Sequence, residues 1–537
     1  MERAVARFMF HCGWHDVAVI GRSGDMGADI VGIRNAPEGN PRTWTVQVKA
    51  IIGGGYVGRQ GLDEVVQAQS IYGAHVAALA TNGDFKPVVN KRKKQLEAAG
   101  FEVKLWNGEF LTETLSKWPE ENLNKRPLRE YQTKIVKRTL SEYETGGKKA
   151  QYVVATGLGK TVIAAEIAKN LWDRGCKKIL VLCHAQDLAL QLEQSFWAQI
   201  GKSTPTRYFF DGMPPLIYEG INFGLYQSLS SYLSGIEPGS FDVVIVDEAH
   251  HALSHGFRSC IDHLAPKFLI GMTATPWRGD GKSIDDLFGE PIARVSLVDG
   301  MAMGFLSQVD YRLFCDNIDW EAIPDLSKKR LNIRDLNKRL FLPQRDDAVL
   351  SQIQKVVAET SNSRVAIFSP SIEHAKRFAA MLSSSGVSCL SLSGEGKVER
   401  RKRLMAFASG TLTAVTAVDV LNEGIDVPDV NILVFLRATH SRRIFVQQLG
   451  RGLRLAKGKD KVIVLDFVSD IRRMAAVEDL NRESREKGSE YESVFLQEGV
   501  VKFSDPAGEE FIQTWLSDIS DLSEAADSEK LKFPEGA

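Results

Sequence analysis

The sequence lacks the features that mark several classes of protein. Its six cysteines are scattered and include no C-x-x-C pair, so neither a zinc site nor a disulfide framework is predicted. No apolar run approaches the ~18 residues of a membrane helix, and the N-terminus has no signal-peptide core. With 67 basic and 68 acidic residues, the chain as a whole is not basic. We therefore expect a cytoplasmic protein with no membrane partner, in which a nucleic acid would bind to local basic patches.

The length and the spacing of the β-rich runs predict several α/β domains. The chain has 537 residues, enough for three or four domains with separate cores. Residues 128–295 and 340–470 alternate runs rich in Val, Ile and Leu with amphipathic helices, which indicates two parallel sheets covered by helices. Residues 1–115 form a separate block of strands and helices. The remaining predicted segments are a linker at 116–127, a connector at 296–339 and a helical, then acidic tail at 471–537.

A glycine-rich segment lies near the start of the first parallel-sheet block. Residues 155–161 follow an apolar run and precede a helical pattern, as a phosphate-binding loop does. In such a loop Lys160 would contact the β and γ phosphates of ATP, and the Thr161 hydroxyl would bind Mg²⁺. The candidate nucleotide contacts in this segment are Thr156, Gly157, Gly159, Lys160 and Thr161.

Two acidic residues follow a later strand of the same block. The run from Val243 to Val246 places Asp247 and Glu248 at the carboxyl end of a strand, where doubly wound sheets bind ligands. We expect Asp247 to hold Mg²⁺ and Glu248 to orient and deprotonate an attacking water. An isolated Asp-Glu pair at this place is also consistent with a helix N-cap. Together with the loop at 155–161, the pair favours ATP hydrolysis.

The order of these motifs resembles that of superfamily 2 helicases of the DEAH-box kind. Further matching segments lie at 128–132, 179–191, 225–229, 271–281, 367–371, 417–430 and 445–455. The resemblance implies two RecA-like domains, an adenine contact at Gln132, and nucleotide contacts at Gly424 and Asp426. Thr273 and Thr275 would couple the state of ATP to strand binding.

Two arginines near the end of the second block have a physical role of their own in this scheme. Arg451 and Arg454 lie three apart, on one face of a predicted helix and next to a glycine. Across an interdomain cleft they would stabilise charge on the transferring phosphoryl group. The sequence of residues 271–281 resembles the corresponding segment of type III restriction subunits and RadD-like repair helicases more than that of RNA helicases. DNA is therefore the expected partner, and RNA is the alternative.

The N-terminal block contains a second set of polar residues. Residues 24–34 place Asp29 at the start of a strand, and in the strand at 44–50 Gln47 and Lys49 share one face. If the two strands pair, Asp29, Gln47 and Lys49 converge. Oxygen ligands for a divalent metal and a lysine that positions or activates water are what phosphodiester hydrolysis needs.

With its flanks, this block resembles the Mrr-like branch of the PD-(D/E)xK nucleases. The later segments 71–87 and 102–111 resemble that family as well. The resemblance implies an endonuclease in which Asp29 and Gln47 bind Mg²⁺ or Mn²⁺, Lys49 is catalytic, and Glu2 is the acid of the first helix. Gln47 stands where an acid is commoner, so a nuclease fold that holds DNA without cutting it is the alternative.

Three functions remain open from the sequence. The first is an ATP-dependent DNA helicase or translocase fused to an endonuclease, in prokaryotic restriction or in DNA repair. The second keeps the motor and makes residues 1–115 a DNA clamp that does not cut. The third is an ATPase scaffold that senses nucleic acid and acts through a protein partner, with the C-terminal region as the contact.

Overall fold

Three large sheets organise the chain. The structure is a computed structural model, and it describes residues 1–20, 27–36, 39–53, 55–123, 125, 127–184, 186–209, 217–274, 284–314, 330–340, 346–418, 429–436, 448–450, 452–456, 459, 461–467, 470–488, 501–503 and 530–532. The fold is mixed α/β, as predicted, with two parallel sheets that follow an N-terminal α/β unit.

The N-terminal unit has a five-stranded sheet and a small two-stranded one. Its strands are β1 (His15–Val19), β2 (Ile30–Asn35), β3 (Pro41–Lys49), β4 (Tyr56–Val57), β5 (Val76–Thr81), β6 (Asp84–Phe85) and β7 (Val103–Trp106). Its helices are α1 (Glu2–His11), α2 (Gln60–Ile71), α3 (Pro87–Ala98) and α4 (Gly108–Ser116). The order is β1-β2-β3-β5-β7, antiparallel up to β3 and parallel from there, while β4 pairs with β6.

Alternation along the strands gives this sheet two apolar faces. Ala78 and Ala80 of β5 belong to a cluster with side chains of α1, whereas Ala77 and Leu79 belong to a cluster with side chains of α2 and α3. Because successive side chains of a strand point to opposite faces, both faces are covered by helices. β3, which carries Gln47 and Lys49, thus lies in the middle of the unit.

The second unit has a fully parallel seven-stranded sheet. Its strands are β8 (Lys149–Val154), β9 (Lys178–Cys183), β10 (Thr206–Phe209), β11 (Gly220–Leu225), β12 (Val243–Asp247), β13 (Phe268–Thr273) and β14 (Pro291–Val295). Its helices are α5 (Glu130–Glu144), α6 (Lys160–Asp173), α7 (Gln186–Trp197), α8 (Tyr226–Ser230), α9 (His255–Leu264), α10 (Asp285–Phe288) and α11 (Leu297–Ala302), with 3₁₀ turns at Leu233–Gly235 and Ala249–Leu253. The strand order is β10-β11-β9-β12-β13-β8-β14.

The third unit has a second parallel sheet. Its strands, with a small antiparallel pair, are β15 (Gln308–Phe314), β16 (Arg330–Asn332), β17 (Val365–Phe368), β18 (Cys389–Ser391), β19 (Ala414–Ala417), β20 (Ile432–Phe435), β21 (Lys461–Phe467), β22 (Val501–Phe503) and β23 (Lys530–Lys532). Helices lie at Ile333–Leu340, Asp346–Glu359, Ile372–Ser384, Lys397–Ala408 and Ile471–Gly488. The order is β18-β19-β17-β20-β21-β15-β22, and β16 pairs with β23.

The third sheet extends beyond the predicted range 340–470 on both sides. β15, from the predicted connector, pairs in parallel with β21, and β22, from the predicted tail, pairs with β15. Phe314 of β15 stacks on Phe467 of β21 with ring centroids 4.6 Å apart, so packing between strands holds β15 in this sheet.

The N-terminal unit is docked on the second unit through α1 and α7. Glu193 of α7 is buried and forms an ion pair of 2.8 Å with Arg3 of α1. The Arg3 guanidinium lies 3.4 Å from the ring centroid of Tyr208, and Arg7 donates a 2.8 Å hydrogen bond to the carbonyl oxygen of Gly201. Charged groups are seldom buried without partners, so this polar contact defines a specific docking surface.

Five of the six cysteines lie among the described residues, and all five are buried and free of disulfide bonds (Cys12, Cys176, Cys183, Cys260 and Cys389). In that part of the chain, none of the helices combines the length and the apolar character needed to cross a lipid bilayer.

Candidate active sites

The predicted phosphate loop connects β8 to α6. Gly157 and Gly159 have φ angles of 87° and 84°, a left-handed conformation that glycine adopts without steric cost. α6 begins at Lys160, so its first N–H groups face the loop, as a phosphate site requires. β12 ends at Asp247 and is separated from β8 by β13 alone. The loop and the acidic pair therefore share the carboxyl edge of the sheet.

Lys160 and Glu248 are in direct contact. The Lys160 Nζ lies 2.8 Å from Glu248 Oε1, and Glu248 has a left-handed backbone with φ of 46° at the end of β12. Such backbone geometry is costly away from glycine and is concentrated at functional sites. Burial raises the pKa of Glu248, but Lys160 and His250 outweigh burial and lower it below its ordinary value. Glu248 is thus held as a carboxylate.

Asp247 has the opposite environment. Burial, followed by the neighbouring Glu248 carboxylate, raises the pKa of Asp247 above its ordinary value. A buried carboxylate of this kind is stabilised when a cation lies beside it. A carboxylate and the hydroxyl of Thr161 are hard oxygen donors that suit Mg²⁺, so the donor set at this edge fits the predicted ion.

Side chains from the next strand connect to the acidic pair. Thr273, the last residue of β13, shares a hydrogen bond of 3.0 Å with Nδ1 of His250. The same ring nitrogen lies 3.5 Å from Glu248 Oε2. Glu248, His250 and Thr273 thus form a continuous polar chain from the candidate base to the predicted coupling segment. Thr275 lies outside the described residues.

Gln132 lies against the phosphate loop. Its Nε2 donates to the Leu158 carbonyl oxygen at 2.9 Å, and its Oε1 accepts from the Arg129 N–H at 2.9 Å. The Tyr131 hydroxyl also donates to the Leu158 oxygen. In the structure Gln132 therefore stabilises the phosphate loop through a hydrogen bond to its backbone. Its contact with adenine stays a prediction.

The segment around Arg454 reaches the loop from the third unit. A Cβ placed on Gly157 would lie 2.9 Å from the Gly450 carbonyl oxygen and 3.4 Å from Arg454 Cγ. A Cβ on Gly450 would lie 2.8 Å from Thr156 Cβ. Only glycine permits so close an approach, so the two units meet at the nucleotide loop. Arg451, Gly424 and Asp426 lie outside the described residues.

Lys459 fixes the backbone of this segment and was not singled out from the sequence. Its Nζ donates to the carbonyl oxygens of Gly452 and Arg454, the latter at 2.9 Å. Burial lowers the pKa of Lys459 to about 8. A single lysine in a polar stretch gives no sequence signal for such a contact.

In the N-terminal unit, β2 and β3 pair, which is the condition for Asp29, Gln47 and Lys49 to converge. Asp29 directly precedes β2, and its Oδ2 accepts hydrogen bonds from Gln47 Nε2 at 2.7 Å and from the Val48 N–H at 2.6 Å. Asp29 and Gln47 are 3% and 5% exposed. The structure therefore brings Asp29 and Gln47 into contact, with Lys49 two residues along the same face of β3.

The Gln47 amide suits a metal ligand. Its Oε1 is buried and has no hydrogen-bond partner, an unusual state for a buried acceptor. A divalent ion beside Asp29 would satisfy that oxygen, so the residues present fit the predicted metal. No group of three or more His, Cys, Asp or Glu side chains suited to a metal is found among the described residues.

Lys49 is paired with an acid that the sequence analysis did not single out. Its Nζ lies 2.7 Å from Glu64 Oε2, and Gln60 Nε2 donates to Glu64 Oε1 at 3.0 Å. Both acid and glutamine belong to α2, which packs on β3. Glu2 begins α1, the helix that docks on α7, and its role as the catalytic acid of the first helix stays a prediction.

Comparison with known proteins follows the same division. Residues 1–115 match the family described as Restriction endonuclease, residues 125–278 match Type III restriction enzyme, res subunit, and residues 348–456 match Helicase conserved C-terminal domain. The chain thus carries a restriction endonuclease domain of the Mrr type followed by the two domains of a helicase, which confirms the resemblance found in the sequence.

Curated relatives include helicases and restriction subunits. The chain is 24% identical over 377 residues to the Putative ATP-dependent helicase IRC3 of Saccharomyces cerevisiae, covering 64% of this chain and 51% of the relative. It is 25% identical over 376 residues to the Type I restriction enzyme EcoAI endonuclease subunit of Escherichia coli, covering 63% and 46%. The chain therefore spans about half the length of these relatives.

One solved structure shares the fold over most of the chain. The ATP-dependent Type ISP restriction-modification enzyme LlaBIII bound to DNA aligns with a TM-score of 0.53 at 16% identity, covering 94% of this chain and 40% of that one. At this identity the likeness concerns the fold alone.

Proposed function

We propose that this protein is an ATP-dependent DNA helicase or translocase that carries its own metal-dependent DNA endonuclease. The observation that carries the proposal is the contact of the phosphate loop with Gly450 and Arg454 of the third unit. When an ATP site lies between two domains, the cleft closes as ATP binds and opens after ATP is hydrolysed. This opening and closing moves the two domains relative to each other. The second half of the proposal rests on Asp29, Gln47 and Lys49 in the N-terminal domain.

At the ATP site, each described residue has a distinct task. Lys160 contacts the β and γ phosphates, in competition with Glu248, so that ATP binding frees the Glu248 carboxylate. Glu248 then accepts a proton from the attacking water. Before ATP binds, Lys160 and His250 outweigh the effect of burial, lower the pKa of Glu248 and keep it ionised. Thr161 and Asp247 would hold Mg²⁺, which would supply positive charge to the phosphates when bound. Thr273 senses the change at Glu248 through His250.

Arginines from the second helicase domain complete the site. Arg454, with its backbone held by Lys459, and Arg451 would stabilise the charge that develops on the transferring phosphoryl group, a contribution of ~10³–10⁵ in rate for arginine fingers. Gly424 and Asp426 would contact the nucleotide from the same domain. Both domains are then needed for hydrolysis.

At the nuclease site, Asp29 and the Gln47 amide oxygen would hold the metal, and Lys49 would act on the water that attacks the phosphodiester. The metal, Mg²⁺ or Mn²⁺, activates water and offsets charge on the phosphate when bound. Asp29 is kept in place by the hydrogen bond from the Val48 N–H, and Glu64 keeps Lys49 at the same edge of β3. Glu2 is proposed as an additional acid.

Restriction of foreign DNA is the cellular role that we favour. The support is the likeness of the nuclease domain and of the first helicase domain to restriction enzymes. A role in DNA repair is the alternative, as is action through a protein partner bound to the C-terminal region. A cytoplasmic location is part of the proposal.

A second candidate function is the same motor with a clamp that does not cut. Two observations favour it, because Gln47 supplies no negative charge to a metal and Lys49 is already paired with Glu64. This candidate predicts ATP-driven movement along DNA with no nicking in either Mg²⁺ or Mn²⁺.

The motor is tested by ATP hydrolysis in the presence of duplex DNA, single-stranded DNA and RNA. We expect DNA to stimulate the wild-type protein and Lys160→Ala to lower kcat by roughly 10²-fold or more, the effect of losing one preorganised charge at the transferring group. Lys169→Ala, in the same helix, is the matched control and keeps its activity, since Lys169 pairs with Glu121 on the surface. Stimulation by RNA but not DNA contradicts the proposal.

A further inference from the structure

The loop that follows Lys49 presents apolar side chains to solvent. Ile52 is 100% exposed and Tyr56 is 64% exposed. Single exposed apolar residues are ordinary on protein surfaces and by themselves indicate nothing. Ile52 differs in its position, because it stands three residues after the candidate catalytic lysine, at the edge where a scissile phosphate would bind.

The backbone on both sides of Ile52 is fixed. The Asn82 side chain bridges Ile51, accepting from its N–H at 2.8 Å and donating to its carbonyl oxygen at 2.8 Å. The Gly55 carbonyl oxygen accepts from the Asp84 N–H at 3.1 Å, and a Cβ on Gly83 would lie 2.5 Å from that oxygen. Because the base of the loop is ordered in the fold, little conformational entropy is lost when its exposed side chains bind.

The same small sheet connects this loop to a basic helix. β4 pairs with β6, and α3 begins at Pro87, two residues after β6 ends. α3 has a run of four basic residues at 91–94 and no acidic residue in its first turn. Lys91 and Lys94 lie three apart, so they share one face of the helix, and both are exposed, as is the N-cap residue Lys86. The basic helix therefore follows directly on the small sheet that joins it to the apolar loop.

We propose that Ile52 and Tyr56 form a wedge that enters duplex DNA beside the scissile phosphate, while Lys86, Lys91 and Lys94 contact the DNA backbone. The proposal rests on the proposed nuclease function in one respect, since it is that function that brings DNA to Lys49. Apolar side chains inserted between base steps unstack them at a cost of a few kcal/mol and kink the duplex. Contacts between the kinked backbone and a basic surface offset that cost.

The wedge is tested by binding without cleavage. The full-length protein is titrated, without ATP and in EDTA, into duplexes that carry 2-aminopurine, a base whose fluorescence rises when it is unstacked. We expect a severalfold rise at one or two positions with the wild-type protein and none with Ile52→Ser. Ile217→Ser removes an isoleucine that is 59% exposed in the first helicase domain, and as the matched control it keeps the rise.

The lysines are tested by the salt dependence of binding. Each phosphate contact contributes ~0.9 to the slope of log K against log salt concentration. The double variant Lys91→Gln/Lys94→Gln is expected to reduce that slope by about 2. Lys134→Gln/Lys137→Gln removes two exposed lysines with the same spacing on α5 and leaves the slope unchanged. An unchanged slope in the α3 variant overturns the assignment of these lysines.

Cleavage separates this proposal from the nuclease proposal. Ile52→Ser is expected to cut intact duplex at least tenfold more slowly than wild type, and to recover on a duplex with a two-base mismatch bubble, where the bases are already unstacked. A wild-type protein that produces no fluorescence rise, or an equal rise in Ile52→Ser, overturns the wedge even if DNA is cut. A rise that depends on Ile52, in a protein that never cuts, supports the wedge and contradicts the nuclease.

Discussion

Lys160 and Glu248 depend on each other at the motor site. Their side chains are only 11% and 16% exposed and are in direct contact. A buried carboxylate without its cation is strongly destabilised, so each partner holds the other in the chemically useful form. The γ phosphate of ATP is negatively charged, as Glu248 is, so the two groups compete for Lys160. Binding of the nucleotide therefore changes the electrostatic environment of the candidate base through Lys160.

His11 makes the docked N-terminal domain sensitive to acid. Burial, with a contribution from Arg7, lowers the pKa of His11 from 6.5 to about 4. Above pH 6.5 the imidazole is neutral in both the folded and the unfolded chain, so it makes no pH-dependent contribution to the free energy of unfolding. As the pH falls from 6.5 towards 4, the unfolded chain takes up the proton first, so stability is lost across this window.

We expect this loss to reach about 2 kcal/mol at pH 5. Thermal unfolding of the wild-type protein and of His11→Gln, followed by tryptophan fluorescence at pH 7 and pH 5, measures it. The variant should lose less stability than the wild type between the two pH values. Equal acid sensitivity of His11→Gln and wild type contradicts the burial argument.

Single residues could be predicted where periodicity fixes a face. Gln47 and Lys49 share one face of β3, as the alternation of the strand predicts, and Asp29 contacts Gln47 because β2 pairs with β3. Glu64 could not be predicted in the same way. Its contact with Lys49 depends on how α2 lies across the sheet, and an acid on a surface helix has no local signal for that packing.

At the scale of elements, α1 and α7 form the contact between nuclease and motor. Besides the Arg3–Glu193 pair, Phe10 packs on Trp197 with ring centroids 5.9 Å apart, and Trp197 joins the apolar cluster of the N-terminal domain. α7 also contains the end of the segment 179–191, one of the segments that resemble superfamily 2 helicase motifs. The helix that contacts the N-terminal domain thus begins within one of these segments.

Removing one member of the Arg3–Glu193 pair should loosen this contact. Arg3→Met leaves the Glu193 carboxylate, which is 2% exposed, without its cation, and we expect a loss of about 3–5 kcal/mol. Arg3→Met/Glu193→Gln should be less destabilised than Arg3→Met alone, because the double variant has no buried carboxylate at position 193 that lacks the Arg3 cation. Arg42→Met breaks the exposed pair with Glu102 and is the control, with a loss of about 1 kcal/mol or less. Chemical denaturation of the four proteins measures these values.

Elements with strong apolar runs were predictable, whereas one strand was not. The runs that became β8, β9, β12 and β13 are dense in Val, Ile and Leu, as central parallel strands are. The sequence of β15 is QVDYRLF, and the charged residues in its middle do not indicate a buried strand. Its place beside β21 is fixed by long-range pairing, which the local sequence does not encode.

The whole molecule combines two candidate active sites in a chain with a specific contact between their domains. The sequence predicted two candidate sites, and it predicted an order of domains that the matches to known families follow. It could not predict the docking surface, because Glu193 lies in an amphipathic helix and reads as a solvent-exposed acid. Residues of α1 and of β10 surround its carboxylate in the folded chain.

Plasmid cleavage with and without ATP tests most directly whether one chain holds both a motor and a nuclease. Supercoiled plasmid is incubated with Mg²⁺ and wild-type, Lys49→Ala or Lys104→Ala protein, and nicks, double-strand breaks and released phosphate are scored in the same sample. Lys104 lies on β7 of the same sheet and pairs with Glu102. It is the matched control. We predict DNA breaks with wild type and Lys104→Ala, none with Lys49→Ala, and DNA-stimulated ATP hydrolysis by all three. Breaks that persist in Lys49→Ala, or ATP hydrolysis that DNA does not stimulate, would contradict the account.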